Sequence, residues 1–262
     1  MGVVTTITLD ELNYLFPSYS FTKIVPTTSG IIDTTYIVFT DTKGYILKKY
    51  ERDISTKIED DKKLLKNLKT KWLNTPTCLD ENSGWFLYEK LNGSTPKTIK
   101  SYHIVALGRF LAKLHNSKVI HNSNFIDNYD VISLLTYTKK NHFYHYKKLQ
   151  FLESFEMKND GFIHGDIFKD NTVFDGEKIG VFDFIDSGNG SFSFDCGVGM
   201  VGFEKVSEFY INLFLNSYNQ HTIKKLTKKE LKQHIKLASR FYALLRINKY
   251  KNTKKAKELM FF

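Results

Sequence analysis

Between Gly161 and Asp195 the chain reads GFIHGDIFKDNTVFDGEKIGVFDFIDSGNGSFSFD. A His-Gly-Asp turn puts Asp166 just beyond the apolar pair Phe162–Ile163, so its carboxylate projects from a loop at the end of a buried element. Gly165 lets the chain turn sharply there. An aspartate so placed can accept or orient the proton of an attacking hydroxyl. Asn171 follows five positions later, far enough for the loop to curl back and offer an amide oxygen to a metal ion. Thr172-Val173-Phe174 reads as a strand, Asp175-Gly176 as a hairpin turn, and Ile179-Gly180-Val181-Phe182 as the return strand ending at Asp183. The hairpin is expected to bring Asn171 and Asp183 to one end, facing one cation. Magnesium prefers hard oxygen ligands and keeps several waters, so one carboxylate and one amide oxygen suffice when phosphates supply the rest. Phosphoryl transfer needs positioning, charge neutralisation and one group to handle the nucleophile's proton. Either aspartate by itself is an ordinary turn residue. Combined with Asn171 in one hairpin, they point to metal-dependent phosphate chemistry.

The elements that must carry these residues are legible on both sides. Thr8 and Glu11 make a capping box ahead of a short helix that Pro17 closes. Strand-forming runs follow, KIVPTTSGIID, TTYIVFT and YILKKY, the last two joined by the Asp41-Thr42-Lys43-Gly44 turn into an antiparallel hairpin. Ser29-Gly30 falls where a loop could lie over phosphates. A helix is expected over residues 54–72, with Ile58, Leu64, Leu65 and Leu68 on one side. WFLYEKLNG then reads as a strand running into a turn, and residues 101–116 as a strongly amphipathic helix. Residues 130–157 read as one long helical stretch, and residues 206–218 and 228–249 as two more amphipathic helices. The last dozen residues are expected to fray. His142 and His145 lack acidic or Cys partners at ligand spacing and are taken as residues at the edge of the core, not as a metal site.

Composition narrows the function classes. At 262 residues, 42% hydrophobic, the chain can bury a large core in one domain or two lobes. It has no run of about 18 apolar residues, so neither a membrane span nor a membrane partner is expected. The start lacks a signal-peptide pattern, and Gly2 with Thr6 matches the loose myristoylation pattern by chance. Cys78 and Cys196 form no metal or redox spacing, consistent with free thiols and a cytoplasmic setting. The net charge is +10, but the lysines are scattered and densest between Lys224 and Lys236. They are taken as a solvated surface, with no nucleic-acid partner.

HGDIFKDNTVFDG with IGVFDF resembles the catalytic stretch of the aminoglycoside phosphotransferase/choline kinase superfamily, relatives of the protein kinases. LGRFLAKLH, from Leu107 to His115, resembles a helix of the same superfamily. The resemblance implies an α+β, protein-kinase-like bilobal fold. Residues 1–90 would be a small antiparallel-sheet N-lobe that binds the nucleotide; residues 91–262 would be a larger, mostly helical C-lobe with the catalytic loop and substrate site. It further implies ATP and Mg2+, with Asp166 as catalytic base and Asn171 and Asp183 as metal ligands. Lys48 would touch the α- and β-phosphates, while strand alternation turns Lys49 to the opposite face. The acidic partner of Lys48 would come from the following helix, from Glu59, Asp60 or Asp61, with Asp61 best placed against the leucines. Adenine would meet the backbone from Glu89 to Leu91, and Ser29-Gly30 the phosphates. His115, His164 and Asp195 would brace the fold and the catalytic loop.

Within the superfamily the chain is most similar to the homoserine kinase-like branch, through HGDIFKDNTVFDG, GYILKKYE, Asn189 and the RFYALLRI segment. It departs by having Asp33-Thr34-Thr35-Tyr36 where the branch has Asn-Ser-Asn-Tyr, and by lacking a Pro after Asn189. The acceptor is expected to be a small hydroxyl compound resembling homoserine, met by Asp166, Asp186 and Asn189. Asp186 would meet an ammonium group or serve as a loop residue. Choline, ethanolamine, an amino sugar or an aminoglycoside are the alternatives, and a catalytically silent binding protein is a further one.

Overall fold

The computed structural model describes residues 4–27, 33–249 and 251–261. The chain forms two compact units, Met1–Gly93 with Gly180–Ile185, and Ser94–Ile179 with Asp186–Phe262.

The first unit is built on a five-stranded antiparallel sheet. Helix α1 (Leu9–Leu15) opens it, with Thr8 and Glu11 forming the expected capping box. The strands are β1 (Lys23–Pro26), β2 (Thr34–Phe39), β3 (Gly44–Lys49), β4 (Cys78–Asn82) and β5 (Trp85–Glu89), ordered β1-β2-β3-β5-β4. The turn after Phe39 closes through Thr40 N–H donating to Lys43 O at 2.9 Å. In β2 and β3 the register pairs Tyr36 with Leu47 and Thr35 with Lys48. One face of the sheet buries Val38, Leu47 and Leu87 against Leu12 and Phe16 of the α1 region. Each such side chain contributes about 1.5–3 kcal/mol by leaving water. Helix α2 (Ile58–Thr70) links β3 to β4 and buries Ile58, Asp61, Leu64, Leu65 and Leu68. It starts at Ile58, later than the periodicity suggests, because Ile54 closes a turn that precedes it, with Lys57 N–H on Ile54 O at 2.8 Å. Strand β4 was not anticipated: its sequence, CLDEN, is polar because it lies at the sheet edge.

The second unit is mostly helical. It contains α3 (Ser101–Asn116), α4 (Val131–Asn141), α5 (Phe143–Leu149), α6 (Phe192–Gly202), α7 (Glu208–His221), α8 (Lys228–Asn248) and α9 (Thr253–Leu259). Short strands β6 (Gly161–Ile163) and β9 (Gly188–Gly190) pair antiparallel, with Phe162 opposite Asn189. The expected hairpin is present as β7 (Thr172–Asp175) and β8 (Lys178–Val181), along which the chain leaves this unit after Ile179.

Three expectations for this unit need correction. The stretch from 130 to 157 is not one helix: it breaks at His142, whose backbone sits at φ −143°, ψ 54°. Threonine, asparagine and aromatic residues crowd that point, and they give up side-chain freedom or backbone hydrogen bonding in a helix. The C-terminal residues form α9, because Asn252 caps it by accepting from Lys255 N–H at 2.9 Å and Ala256 and Leu259 are buried. Helix α6 went unforeseen. Its sequence FSFDCGVGMVG has no polar stripe, since nearly all of it is buried, and its glycines disfavour a helix in isolation. Those glycines admit neighbouring backbone. A Cβ on Gly197 would stand 2.5 Å from the His234 carbonyl oxygen of α8, and one on Gly202 would stand 2.7 Å from Phe168 Cα.

Candidate active site

In the first unit, the alternation of β3 sends its two lysines apart. Lys49 lies over the Trp85 ring, 5.4 Å from its centroid. Lys48 turns inward and donates to Asp183 Oδ1 at 2.7 Å, with Asp33 Oδ2 3.7 Å away. Asp33 also faces Arg52 Nη2 at 3.8 Å and accepts from Glu51 N–H at 3.2 Å. Burial by itself would lower the Lys48 pKa, but Asp183 and Asp33 hold the ammonium above its ordinary value. For Asp33 burial outweighs Lys48 and Arg52 and lifts the carboxyl above its ordinary value. The ammonium also stands 4.5 Å above the Tyr50 ring, and the Tyr50 and Tyr88 hydroxyls are 3.1 Å apart. Both phenols are raised by burial and by the nearby Asp61 carboxylate. Asp61 is thus buried on α2 beside the tyrosine pair. The resemblance implies a Lys48 partner among Glu59, Asp60 and Asp61 on the helix; the carboxylates on its ammonium in the structure are Asp183 and Asp33.

Asp183 itself adopts φ +68°. This left-handed conformation is costly for a residue with a Cβ and least so for Asp or Asn. Such strain persists where the surroundings over-determine it, as they do at functional sites. Glu89 closes β5, with its N–H on Thr77 O at 2.9 Å and its carboxylate paired with Lys69, and Leu91 is buried nearby in sequence. Ser29 and Gly30 lie outside the described residues.

In the second unit, the loop after β6 carries Asp166. Asn171 Nδ2 donates to Asp166 O at 2.8 Å and to Asp166 Oδ2 at 3.1 Å. That double contact commits the amide nitrogen and turns Oδ1 into the atom Asn171 can offer a cation. Behind the loop, Asp195 of α6 accepts from His164 N–H at 3.0 Å and from Gly165 N–H at 2.8 Å. His115 of α3 bridges Asp195 and Tyr218, at 3.1 and 2.8 Å. The imidazole stacks on Phe192, ring centroids 4.2 Å apart. His115, His164 and Asp195 therefore form a buried brace under the loop. Tyr242 of α8, which sequence reading did not single out, donates its hydroxyl to Gly165 O.

Asp186 and Asn189, expected at the acceptor, follow this loop in sequence and are partly buried. Asp186 accepts at its backbone oxygen from Asn128 Nδ2 at 2.8 Å. Asn189, on β9, donates its Nδ2 to His121 O at 2.7 Å, which joins β9 to the loop before α4. Among the described residues no three His, Cys, Asp or Glu side chains form a ready-made metal cage. None of the described helices is long and apolar enough to cross a membrane.

Comparison with known proteins extends this picture. Residues 23–224 match the phosphotransferase enzyme family. A homoserine kinase of Methylobacillus flagellatus is 24% identical over 266 residues, covering 88% of this chain and 81% of that one. A macrolide 2'-phosphotransferase type I structure superposes with a TM-score of 0.68 at 16% identity, over 99% of both chains. An amicoumacin kinase in complex with AMP-PNP and Ca2+ superposes with a TM-score of 0.69 at 16% identity, over 96% of this chain and 92% of that one. The fold is accordingly the α+β, kinase-like one, with an antiparallel-sheet unit and a mostly helical unit. With the family match spanning most of its length, this chain belongs to the phosphotransferase enzyme family and is a phosphotransferase.

Proposed function

We propose that this phosphotransferase moves the γ-phosphoryl group of ATP to the hydroxyl of a small amino alcohol resembling homoserine, with Mg2+ as the assisting cation, in the cytoplasm. Residues 1–90 bind the nucleotide, and residues 91–262 carry the catalytic loop and the acceptor. The observation that carries this reading is the interlock of Asp166 with Asn171, in which one amide nitrogen orients the carboxylate while its oxygen is left to a cation.

Each residue then has a task. Asp166 accepts or orients the acceptor's hydroxyl proton, so that the oxygen can attack phosphorus as the bond to the β-phosphate oxygen breaks. Asn171 Oδ1 and the Asp183 carboxylate are hard oxygen donors of the kind magnesium takes, and two protein ligands suffice beside phosphates and water. Bound there, Mg2+ would neutralise charge on the transferring phosphates. Lys48, held charged by two carboxylates, binds the α- and β-phosphates. The backbone from Glu89 to Leu91 meets adenine, and residues 29–30 lie over the phosphates. Asp186 receives the acceptor's ammonium group, with Asn189 beside it. The likeness to a homoserine kinase supports an amino-acid alcohol over the aminoglycoside, choline or amino-sugar alternatives, and the lysine-rich segment after Asp195 disfavours a polycation.

A phosphorylation screen with ATP and Mg2+ against homoserine, choline, ethanolamine, glucosamine and kanamycin tests the proposal. Homoserine should give the highest kcat/KM. Turnover of a polycation alone would overturn the acceptor, and no turnover with any acceptor would overturn the reaction.

A further inference from the structure

From Gly165 O to α8 runs a contact that no feature of the motif announces. We infer that Tyr242 is a positioning residue for Asp166, fixing through its hydroxyl the peptide that joins Gly165 to the catalytic aspartate. The inference rests on the proposed role of Asp166 and extends it to a residue 76 positions later in the chain.

The loop's backbone polar groups can be followed one by one, since a buried peptide group without a partner is costly. His164 N–H and Gly165 N–H both go to Asp195, at 3.0 and 2.8 Å. Asp166 N–H goes to His164 Nδ1 at 3.1 Å. Asp166 O accepts from Phe168 N–H and from Asn171 Nδ2, both at 2.8 Å. Gly165 O accepts from the Tyr242 hydroxyl. Asp195 thus holds the near side of the turn and Tyr242 holds the far side.

That second hold matters because Gly165 sits at φ +78°, where a glycine samples conformations closed to other residues. No side chain is available to stiffen it, for a Cβ there would stand 2.1 Å from the Phe125 ring. The Gly165–Asp166 peptide plane is then set from both ends, by His164 Nδ1 on its N–H from within the loop and by the Tyr242 hydroxyl on its carbonyl from outside it. Tyr242 is itself rigid: it is 4% exposed, and its ring meets Phe168 edge-on with centroids 4.7 Å apart. The Asp166 carboxylate acts on the same hydroxyl, which burial and that charge together keep protonated and able to donate.

Tyr242→Phe removes the hydroxyl and keeps the ring. Transfer is assayed with ATP, Mg2+ and L-homoserine, with transfer to water followed in parallel, on the wild type, Tyr242→Phe, Asp166→Asn and Ala243→Gly. Ala243 is the neighbouring buried position on α8, and a glycine there loosens the helix while leaving the Tyr242 hydroxyl in place. Tyr242→Phe should lower kcat by about 10- to 100-fold, the scale of a small misplacement of a reacting group. Its KM for ATP should stay within about twofold of the wild type, because nucleotide binding is not the step disturbed. Ala243→Gly should lower Tm comparably and leave kcat near the wild-type value. Wild-type kcat in Tyr242→Phe overturns the inference while leaving the proposed reaction standing. Equal loss of kcat in Ala243→Gly overturns it as well, by reducing Tyr242 to a stabilising residue. A wild type that transfers phosphate to none of homoserine, choline, ethanolamine, glucosamine, kanamycin and water overturns both.

Discussion

Lys48 Nζ donates to Asp183 Oδ1 at 2.7 Å, joining residues 135 positions apart in the chain. The strand that presents the lysine and the left-handed turn that presents the aspartate meet on the sheet unit. Asp33, just before β2, adds a second carboxylate on the same ammonium. A cation held between two acids is oriented before any phosphate arrives, and one of those acids is the residue proposed to take the metal.

Exchange of phosphate contacts at this ammonium should be visible in kinetics. Lys48→Met should raise the KM for ATP and lower kcat/KM, and Asp183→Asn should raise the Mg2+ concentration needed for half-maximal rate. Because the two side chains touch, the double variant should lose less than the sum of the single losses, with a coupling on the order of 0.5–3 kcal/mol. Strict additivity in steady-state kinetics would show that the pair does not act as a unit.

The same pair makes a signed prediction for stability against pH. Lys48 has a folded-state pKa above its ordinary value of 10.5. Its contribution is therefore fully present below about 10.5 and is lost as pH rises through the higher folded value. Urea unfolding of the wild type and of Lys48→Met should differ by on the order of 1–3 kcal/mol near pH 8, as for a charged hydrogen bond. The gap should shrink above pH 10.5, and a gap that widens there would contradict the assignment.

Asp166→Asn keeps the shape of the loop residue and removes its ability to take a proton. Its kcat should fall by about 10²–10⁴-fold, the usual contribution of general base catalysis, with an unchanged circular dichroism spectrum. Asn171→Ala removes the amide that touches Asp166 twice as well as the oxygen proposed for the cation. It should combine a lower kcat with a greater Mg2+ requirement, and a kcat loss with unchanged Mg2+ dependence would assign Asn171 to loop geometry alone.

Gly197→Ala tests the packing of α6. The added methyl would meet His234 O and its carbonyl carbon at 2.5 and 2.6 Å, both backbone atoms of α8. Overpacking of this kind costs about 1–3 kcal/mol. Thermal unfolding should show a lowered Tm, whereas an alanine placed at the solvent-exposed Gly176 turn should act through its φ of +59° alone.

Local chemistry left clear marks in the chain. The capping box of Thr8 with Glu11, the amphipathic face of residues 101–116 and the β2–β3 hairpin follow from near-neighbour rules of capping, period and turn. The spacing of Asp166, Asn171 and Asp183 marks candidate chemistry, because five positions separate the first two and a hairpin is the simplest path between the last two. Helix α6 left no such mark: a helix buried all round has no polar stripe to give a period, and its glycines serve α8 and Phe168 at the cost of intrinsic propensity.

What the amino-acid sequence determined by itself is the family-like catalytic stretch and the elements around it, since those depend on residues near one another in the chain. The tertiary structure decided who holds these groups in place: Asp33 and Asp183 on Lys48, Asp195 and Tyr242 on the loop of Asp166. These partners come from 15 to 135 positions away, on strands and helices whose own patterns report only burial. A hydrogen bond across such distances is set by packing geometry, to which periodicity and propensity are blind.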